Sequence, residues 1–148
     1  MEKVIMYTDG GARGNPGPAG AGVFIYNDKG EIIRKAHLFL GKMTNNEAEY
    51  QAVLLGLDTL KKVFGKEKTR ELDIEIRMDS ELVGKQLRHE YQVKEAKMVP
   101  LFMKIHNLRV ADFPHLSITF IPREKNTEAD QLANQAMDEG ESEQKGLF

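Results

Sequence analysis

The order of strand-like and helix-like hydrophobic patterns along the sequence constrains the fold of this chain more than any other feature. Strand-like runs, either wholly apolar or alternating with a period of two, occupy residues 4–7, 23–26, 31–40, 72–78 and 116–120. Helical patterns occupy residues 44–64, 81–87, 99–108 and 127–137. Because the first three strands follow one another directly, a hairpin pairs them antiparallel, whereas helical crossovers make the first, fourth and fifth strands parallel. The sequence thus predicts an α/β protein with a five-stranded mixed sheet, an antiparallel hairpin plus parallel strands, flanked by helices.

Local signals mark the helix starts and the end of the domain. Thr44 and Glu47 have the spacing of a capping box, and Asn126-Thr127 caps the last helix. The length of 148 residues suits one domain, and no linker precedes residue 138. We therefore predict a domain at residues 1–138 and an acidic, disordered tail at residues 139–148.

Composition excludes several classes of chemistry. The chain has no cysteine, which removes disulfides, zinc ribbons and thiolate nucleophiles, so any metal needs oxygen or imidazole ligands. No apolar run is long enough to span a membrane and no signal peptide is recognisable, which predicts a cytoplasmic protein without membrane contact. The net charge is −2, so binding of nucleic acid would depend on local patches.

Carboxylates recur at the ends of predicted elements. Asp9 and Asp79 lie just past the apolar runs of the first and fourth strands. If these strands are neighbours, their carboxyl ends meet at a switch point, where open α/β sheets bind ligands. Glu47 and Glu49 begin the first long helix, and Asp130 interrupts an inward-facing apolar pattern in the last. Clustered carboxylates suit Mg²⁺ or Mn²⁺, and two such ions roughly 3.5–4 Å apart form the clamp used in phosphodiester displacement.

Five motifs occur in an order that resembles one known family. They are Tyr7-Thr8-Asp9-Gly10-Gly11, Gly14-Asn15-Pro16-Gly17-Pro18, Thr44-Asn45-Asn46-Glu47-Ala48-Glu49, Met78-Asp79-Ser80 and Asn126-Thr127-Glu128-Ala129-Asp130-Gln131-Leu132-Ala133. Together they resemble type 1 ribonuclease H, of the ribonuclease H-like superfamily, over about residues 3–137. The resemblance implies a metal-dependent endonuclease that hydrolyses the RNA strand of RNA/DNA hybrids and leaves 5′-phosphate and 3′-hydroxyl ends.

The resemblance also implies a set of catalytic metal ligands, namely Asp9, Glu49, Asp79 and Asp130. By this resemblance, Asp9 would bridge two Mg²⁺ ions, with Mn²⁺ as the alternative metal. Asp130 holds the ion that carries the attacking water, and Glu49 and Asp79 hold the ion at the leaving oxygen. The enzyme would act as a monomer.

Nucleic-acid contacts are implied at Gly10, Gly11, Asn15, Lys42, Thr44, Asn45, Asn46 and Ser80. The three asparagines match residues at the minor groove, and Lys42 and Thr44 match a pocket for a DNA-strand phosphate. An amide can donate to a 2′-hydroxyl and accept from it, which distinguishes RNA from DNA. The residues alone leave two alternatives open, because residues 10–22 also suit a tight hairpin corner and Asn45-Asn46 also suit a helix start.

Two departures from the family pattern affect the expected site. Many members have a His between the last strand and the last helix, where this chain has Pro122-Arg123-Glu124-Lys125-Asn126, so Arg123 or Lys125 would supply an electrostatic role. The four histidines are interpreted as surface or packing residues. Residues 88–98 leave no room for the basic helical handle of other members, and the chain has no Trp. The basic residues between Lys85 and Arg109 then form a solvated helix face or, alternatively, a weakened handle.

The last residues and the overall activity each have rival interpretations. Gln144, Leu147 and Phe148 resemble the short peptide that docks replication proteins on a sliding clamp, and a frayed chain end is the alternative. For the whole chain, the alternatives to hybrid cleavage are a binding module for hybrids or double-stranded RNA with little or no catalysis, and an exonuclease or transposase core. The intact set of four acids favours a nuclease, because binding alone gives no reason to place carboxylates beside phosphates.

Overall fold

The computed structural model describes residues 1–146, with side chains described up to Gln144. The strands are β1 (Lys3–Ala12), β2 (Gly17–Asn27), β3 (Ile32–Met43), β4 (Asp73–Met78) and β5 (Leu116–Phe120). The helices are α1 (Asn45–Phe64), α2 (Lys66–Thr69), α3 (Glu81–Leu87), α4 (Val99–Asp112) and α5 (Thr127–Gly146), with a 3₁₀ turn at Arg123–Lys125. Across the described residues, no helix has the length and apolar character that a bilayer crossing requires.

The five strands form one mixed sheet in the order β3-β2-β1-β4-β5. β2 is antiparallel to both β1 and β3, whereas β4 is parallel to both β1 and β5. The predicted fold is therefore confirmed. The first and fourth strands are neighbours, which is the condition for their carboxyl ends to meet. The point where the sheet changes from antiparallel to parallel pairing lies at β1, and Asp9 belongs to this strand.

The glycine-rich segment differs from the sequence prediction. β1 continues to Ala12 and β2 begins at Gly17, so most of residues 10–22 is paired strand. Asp9 lies within β1 opposite Gly22, and it does not follow the strand as predicted. Apolar periodicity missed this extension because glycine and alanine pair through their backbone amides and carbonyls without contributing a large apolar side chain.

Helices cover both faces of the central strands. A Cβ at Gly22 would overlap the backbone of α5, whereas Val23, the next residue, lies close to Gly56 of α1. Successive residues of a strand point to opposite faces, so α1 and α5 lie on opposite sides of β2. The main core forms on the α1 side, where fully buried residues include Met6, Ile25, Leu57, Ile74, Ile76 and Phe113.

α5 is longer than predicted and includes most of the segment assigned to a disordered tail. It continues to Gly146, past the boundary placed at residue 138. Three contacts hold this part against the domain: Arg13 pairs with Glu141 at 3.2 Å, His37 with Glu139 at 2.9 Å, and Gly140 lies against the Phe39 ring. The acidic residues of the predicted disordered tail thus pair with Arg and His side chains that are far away in the chain. Leu147 and Phe148 lie outside the described residues.

Candidate active site: a carboxylate cleft

A cleft of about 430 Å³ opens beside the end of β4. Its lining consists of Asp9, Gly10, Gly11, Asn45, Asn46, Glu49, Asp79, Ser80, Arg123 and Asp130. All four acids implied by the family resemblance are therefore in one cleft. They come from β1, α1, the residue after β4 and the first turn of α5.

Two glycines allow the helices to approach the acid-bearing strand. A Cβ at Gly10 would overlap the carbonyl of Ala48, so α1 can lie against β1 only because that side chain is absent. Glu49 follows Ala48 and thus reaches Asp9, which precedes Gly10. A Cβ at Gly22 would likewise overlap the carbonyl of Ala129, so the first turn of α5 lies against the strand position opposite Asp9. These close approaches create the acid cluster.

Three of the four carboxylates form a compact group. Asp9, Glu49 and Asp79 each offer an oxygen within 4.8 Å of the others. Asp9 and Glu49 are only 8% and 7% exposed, and Asp79 is half-buried. Asp130 is exposed on the solvent side of the same cleft. The exposure of the four acids thus increases from Asp9 and Glu49, which are buried, to Asp130, which faces solvent.

Burial and mutual repulsion disfavour the charged forms of these acids. Burial, followed by the charge of Asp79, raises the pKa of Asp9 from its ordinary value of 3.8 to about 8. The Asp130 carboxyl interacts with Asp9 and raises this pKa further. Burial and the charges of Asp9 and Asp79 also raise the pKa of Glu49 well above its ordinary value. A cation would relieve this repulsion.

The donor set fits a hard divalent cation. Oε2 of Glu49 is buried without a hydrogen-bond partner among the described residues, which is costly unless a ligand completes it. Carboxylate oxygens are the ligands that Mg²⁺ and Mn²⁺ prefer. Asp9, Glu49 and Asp79 place carboxylate oxygens close enough together to share a cation, and Asp130 lines the same cleft.

The predicted nucleic-acid residues divide into two groups. Gly10, Gly11, Asn45, Asn46 and Ser80 line the cleft. The others are not part of the lining: Asn15 accepts a hydrogen bond from the Asn45 backbone at 3.0 Å, Lys42 is exposed on β3, and Thr44 caps α1.

The helix start is confirmed as a capping box. The Thr44 hydroxyl accepts from the Glu47 backbone at 3.2 Å, and the Glu47 carboxylate accepts from the Thr44 backbone at 3.3 Å. Oδ1 of Asn45 accepts from the Ala12 backbone at 2.9 Å. The corner between β1 and β2 is thus fixed to the start of α1, because Asn15 also accepts from Asn45.

The loop before α5 supplies one cation to the cleft. Arg123 lines the cleft, whereas Lys125 is exposed in the same 3₁₀ turn and is not part of the lining. Within residues 1–146, no histidine lines the cleft; His37 pairs with Glu139, and His89 lies near Phe102.

Asn126 is a site residue that the sequence analysis missed. It was predicted only as a helix cap, but it is fully buried and its side chain donates to Asp79 at 3.1 Å and to the Thr8 carbonyl at 2.9 Å. These partners are 47 and 118 residues away in the chain. An asparagine before a helix is already explained by capping, so no local signal distinguishes this second role.

The region of the family's basic handle carries no helix here. Residues 88–98 form turns between α3 and α4. Lys85 pairs with Glu81 at 2.8 Å and Arg88 with Glu90 at 2.9 Å. Arg109 donates to the Leu87 carbonyl at 2.6 Å. Three of the basic residues in this region thus pair with acids or bond to the backbone of the same chain, which favours the interpretation as a solvated helix face.

A mixed sheet in this strand order, with an acid-lined cleft beside β1 and β4, defines the ribonuclease H-like class of folds. Comparison with known proteins gives the family. The model of the reverse transcriptase-like family matches residues 7–136. Ribonuclease HI of Halobacterium salinarum is 37% identical over 137 residues, covering 93% of this chain and 65% of that protein. A crystal structure of LC11-RNase H1 in complex with an RNA/DNA hybrid is 44% identical, covers 93% of this chain and 98% of that one, and has a TM-score of 0.89.

These matches show that the chain belongs to the type 1 ribonuclease H family, as its five motifs predicted. Some relatives are longer. The bifunctional protein Rv2228c of Mycobacterium tuberculosis is 36% identical across 92% of this chain, but the chain spans 36% of that protein's length.

Proposed function

We propose that this chain hydrolyses the RNA strand of RNA/DNA hybrids and leaves 5′-phosphate and 3′-hydroxyl ends. The observation that carries the proposal is the convergence of four carboxylates in a cleft that also contains the Asn45 and Asn46 side chains. Family membership and the hybrid-bound relative support the same activity. In the reaction, a water oxygen bonds to phosphorus, the bond from phosphorus to the 3′ oxygen breaks, and the 3′ oxygen takes a proton.

Asp9, Glu49, Asp79 and Asp130 would hold two Mg²⁺ ions, with Mn²⁺ as the alternative. These ions supply charge neutralisation at the phosphate and a more acidic water. Asp9 is central because its carboxyl interacts electrostatically or by hydrogen bonding with each of the other three acids. The raised pKa values of Asp9 and Glu49 imply that the protein releases protons as it takes up cations.

The amide side chains at the start of α1 are proposed to recognise the RNA strand. Oδ1 of Asn45 is already used by the Ala12 backbone, so its Nδ2 hydrogens are the groups it can donate to a 2′-hydroxyl. Asn46 lines the cleft beside it. Gly10 and Gly11 line the same surface, and the open space at the Cβ position of Gly11 lets a strand approach the backbone closely. Thr44, which caps α1, and the exposed Lys42 of β3 are proposed to contact a DNA-strand phosphate.

Arg123 is proposed as the electrostatic helper that stands where other members have histidine. It lines the cleft, so its charge can act on the scissile or departing phosphate, whereas Lys125 lies further out. A guanidinium stays protonated near neutral pH, so Arg123 would stabilise charge and would not transfer a proton.

The direct test is incubation of end-labelled RNA/DNA hybrid, duplex RNA and duplex DNA with Mg²⁺, Mn²⁺ or EDTA. We expect cleavage of the hybrid's RNA strand with either metal, none with EDTA and none of duplex DNA. Hybrid binding without cleavage at any metal concentration would instead support the binding-module alternative. Cleavage of duplex RNA would extend the substrate range. Monomeric state, cytoplasmic location and clamp docking through Gln144, Leu147 and Phe148 stay predictions.

A further inference from the structure

Asn126 connects the elements that carry the carboxylates of the cleft. Its Nδ2 donates to the Thr8 carbonyl at 2.9 Å and to Oδ2 of Asp79 at 3.1 Å. Thr8 directly precedes Asp9 in β1. The Asn126 carbonyl accepts from the Asp130 backbone at 3.1 Å, in the first turn of α5. One residue is thus bonded to an acid, to the neighbour of a second acid, and to the backbone of a third.

The carboxamide of Asn126 suits this junction because both of its side-chain partners can only accept. The Thr8 carbonyl and the Asp79 carboxylate need a donor with two hydrogens, and the Nδ2 group supplies both. Oδ1 of Asn126 faces the other way and is buried without a partner among the described residues. Such an oxygen carries a free-energy cost that a side chain used only for packing would avoid.

We propose that Asn126 is a positioning residue for the metal-binding carboxylates. By holding Oδ2 of Asp79, it fixes the rotamer of that side chain and leaves Oδ1 for a cation. By bonding to Thr8 and Asp130 it keeps β1 and α5 in register around the cleft. Hydrogen bonds to ligand side chains of this kind orient a metal site and tune its affinity. The inference rests on the proposed function, since the carboxylates it orients are those proposed to hold the cations.

The first test measures cation binding without substrate. Calorimetric titration of Mn²⁺ into the metal-free protein should show Asn126→Ala binding roughly 10- to 100-fold more weakly than wild type, the usual cost of losing such a partner. Asn107→Ala, an exposed asparagine on α4, is the matched control and should bind as wild type does. A folded Asn126→Ala protein with unchanged Mn²⁺ affinity would overturn the proposal.

The second test separates positioning from substrate binding. For hybrid cleavage, Asn126→Ala should lower kcat and raise the Mg²⁺ concentration needed for half-maximal rate, while KM for the hybrid stays within about twofold. KM is spared because Asn126 is buried and does not reach the strand. Asn126→Asp keeps the shape but replaces the donor by an oxygen, so it should not rescue kcat. A variant that changes KM alone would contradict a positioning role.

A measurement on the wild-type protein covers the case in which the variants do not fold. The Nδ2 hydrogens of Asn126 should exchange slowly with solvent and shift in the NMR spectrum as Mg²⁺ is added, because their acceptor Asp79 becomes a ligand. An Asn126 side-chain signal unaffected by saturating Mg²⁺ would refute the proposal. A wild-type protein that binds cation at the cleft but cuts no hybrid would instead refute the proposed function.

Discussion

Replacing Asp9 by Asn should stabilise the metal-free protein while abolishing cleavage. The pKa of Asp9 is raised from 3.8 to about 8, first by burial and then by Asp79. In the unfolded chain Asp9 ionises freely above pH 3.8, whereas in the folded protein it stays protonated up to about pH 8. The folded state therefore loses free energy of unfolding progressively as the pH rises from 3.8 to about 8. At ~1.36 kcal/mol for each pKa unit, the loss has an upper bound of about 5–6 kcal/mol. We expect a gain of about 1–3 kcal/mol for the variant, because a buried carboxamide still loses hydration and so recovers only part of this loss.

The assay is urea unfolding followed by circular dichroism in EDTA, at pH 4 and at pH 8. The difference between Asp9→Asn and wild type should be small at pH 4 and should grow toward pH 8. Saturating Mg²⁺ should stabilise wild type more than the variant. Asp28→Asn, at the exposed turn between β2 and β3, is the control and should show no such trend. A variant that is less stable than wild type at pH 8, or that retains wild-type cleavage, would refute the reasoning.

Further predictions concern the edges of the cleft and the end of the chain. Arg123→Ala should lower kcat about five- to tenfold, which corresponds to ~1 kcal/mol for an exposed charge. Lys125→Ala should have a smaller effect, and equal effects would contradict the placement of these two side chains. Neither profile of rate against pH should show a step near the unperturbed histidine pKa of about 6.5. Arg13→Ala should lower the free energy of unfolding by about 0.5–1 kcal/mol, less in high salt, and a salt-independent loss would count against the ion pairs with α5. Deletion of residues 144–148 should leave cleavage of a short hybrid unchanged and weaken retention on an immobilised sliding clamp from the same organism; unchanged retention would support a frayed end.

The sequence predicted the parts of the fold that depend on local pattern. Periodicity and the connections between elements predicted the strands, the helices and the direction of pairing. Helix-start chemistry predicted the capping box at Thr44, and motif order predicted the set of four acids. The sequence does not reveal that β1 extends past Asp9. Gly10 and Gly11 bond to β2 through their backbone groups and have no large apolar side chain to continue the apolar pattern of the strand. Patterns of apolar side chains therefore underestimate strands where helices pack most closely.

The remaining errors come from contacts between residues far apart in the chain. Glu139 and Glu141 fall in the predicted disordered tail, but α5 places them against His37 and Arg13, 102 and 128 residues away. Asn126 looked like a cap, and its bonds to Asp79 and Thr8 exist only once β1, β4 and α5 are assembled. Ion pairs and amide hydrogen bonds between residues so far apart cannot be recognised from a single sequence.

The measurement that tests the central claim most directly compares two duplexes that differ only in the sugars of one strand. A DNA duplex with four consecutive ribonucleotides in one labelled strand is incubated with the protein and Mg²⁺, beside the same duplex made wholly of DNA. If the amides at Asn45 and Asn46 recognise 2′-hydroxyls beside the carboxylates, only the first duplex is cut, within or next to the ribonucleotides, and the downstream product carries a 5′-phosphate. Equal cutting of the two duplexes, or no cutting of the first by a protein that binds Mg²⁺, would contradict the account.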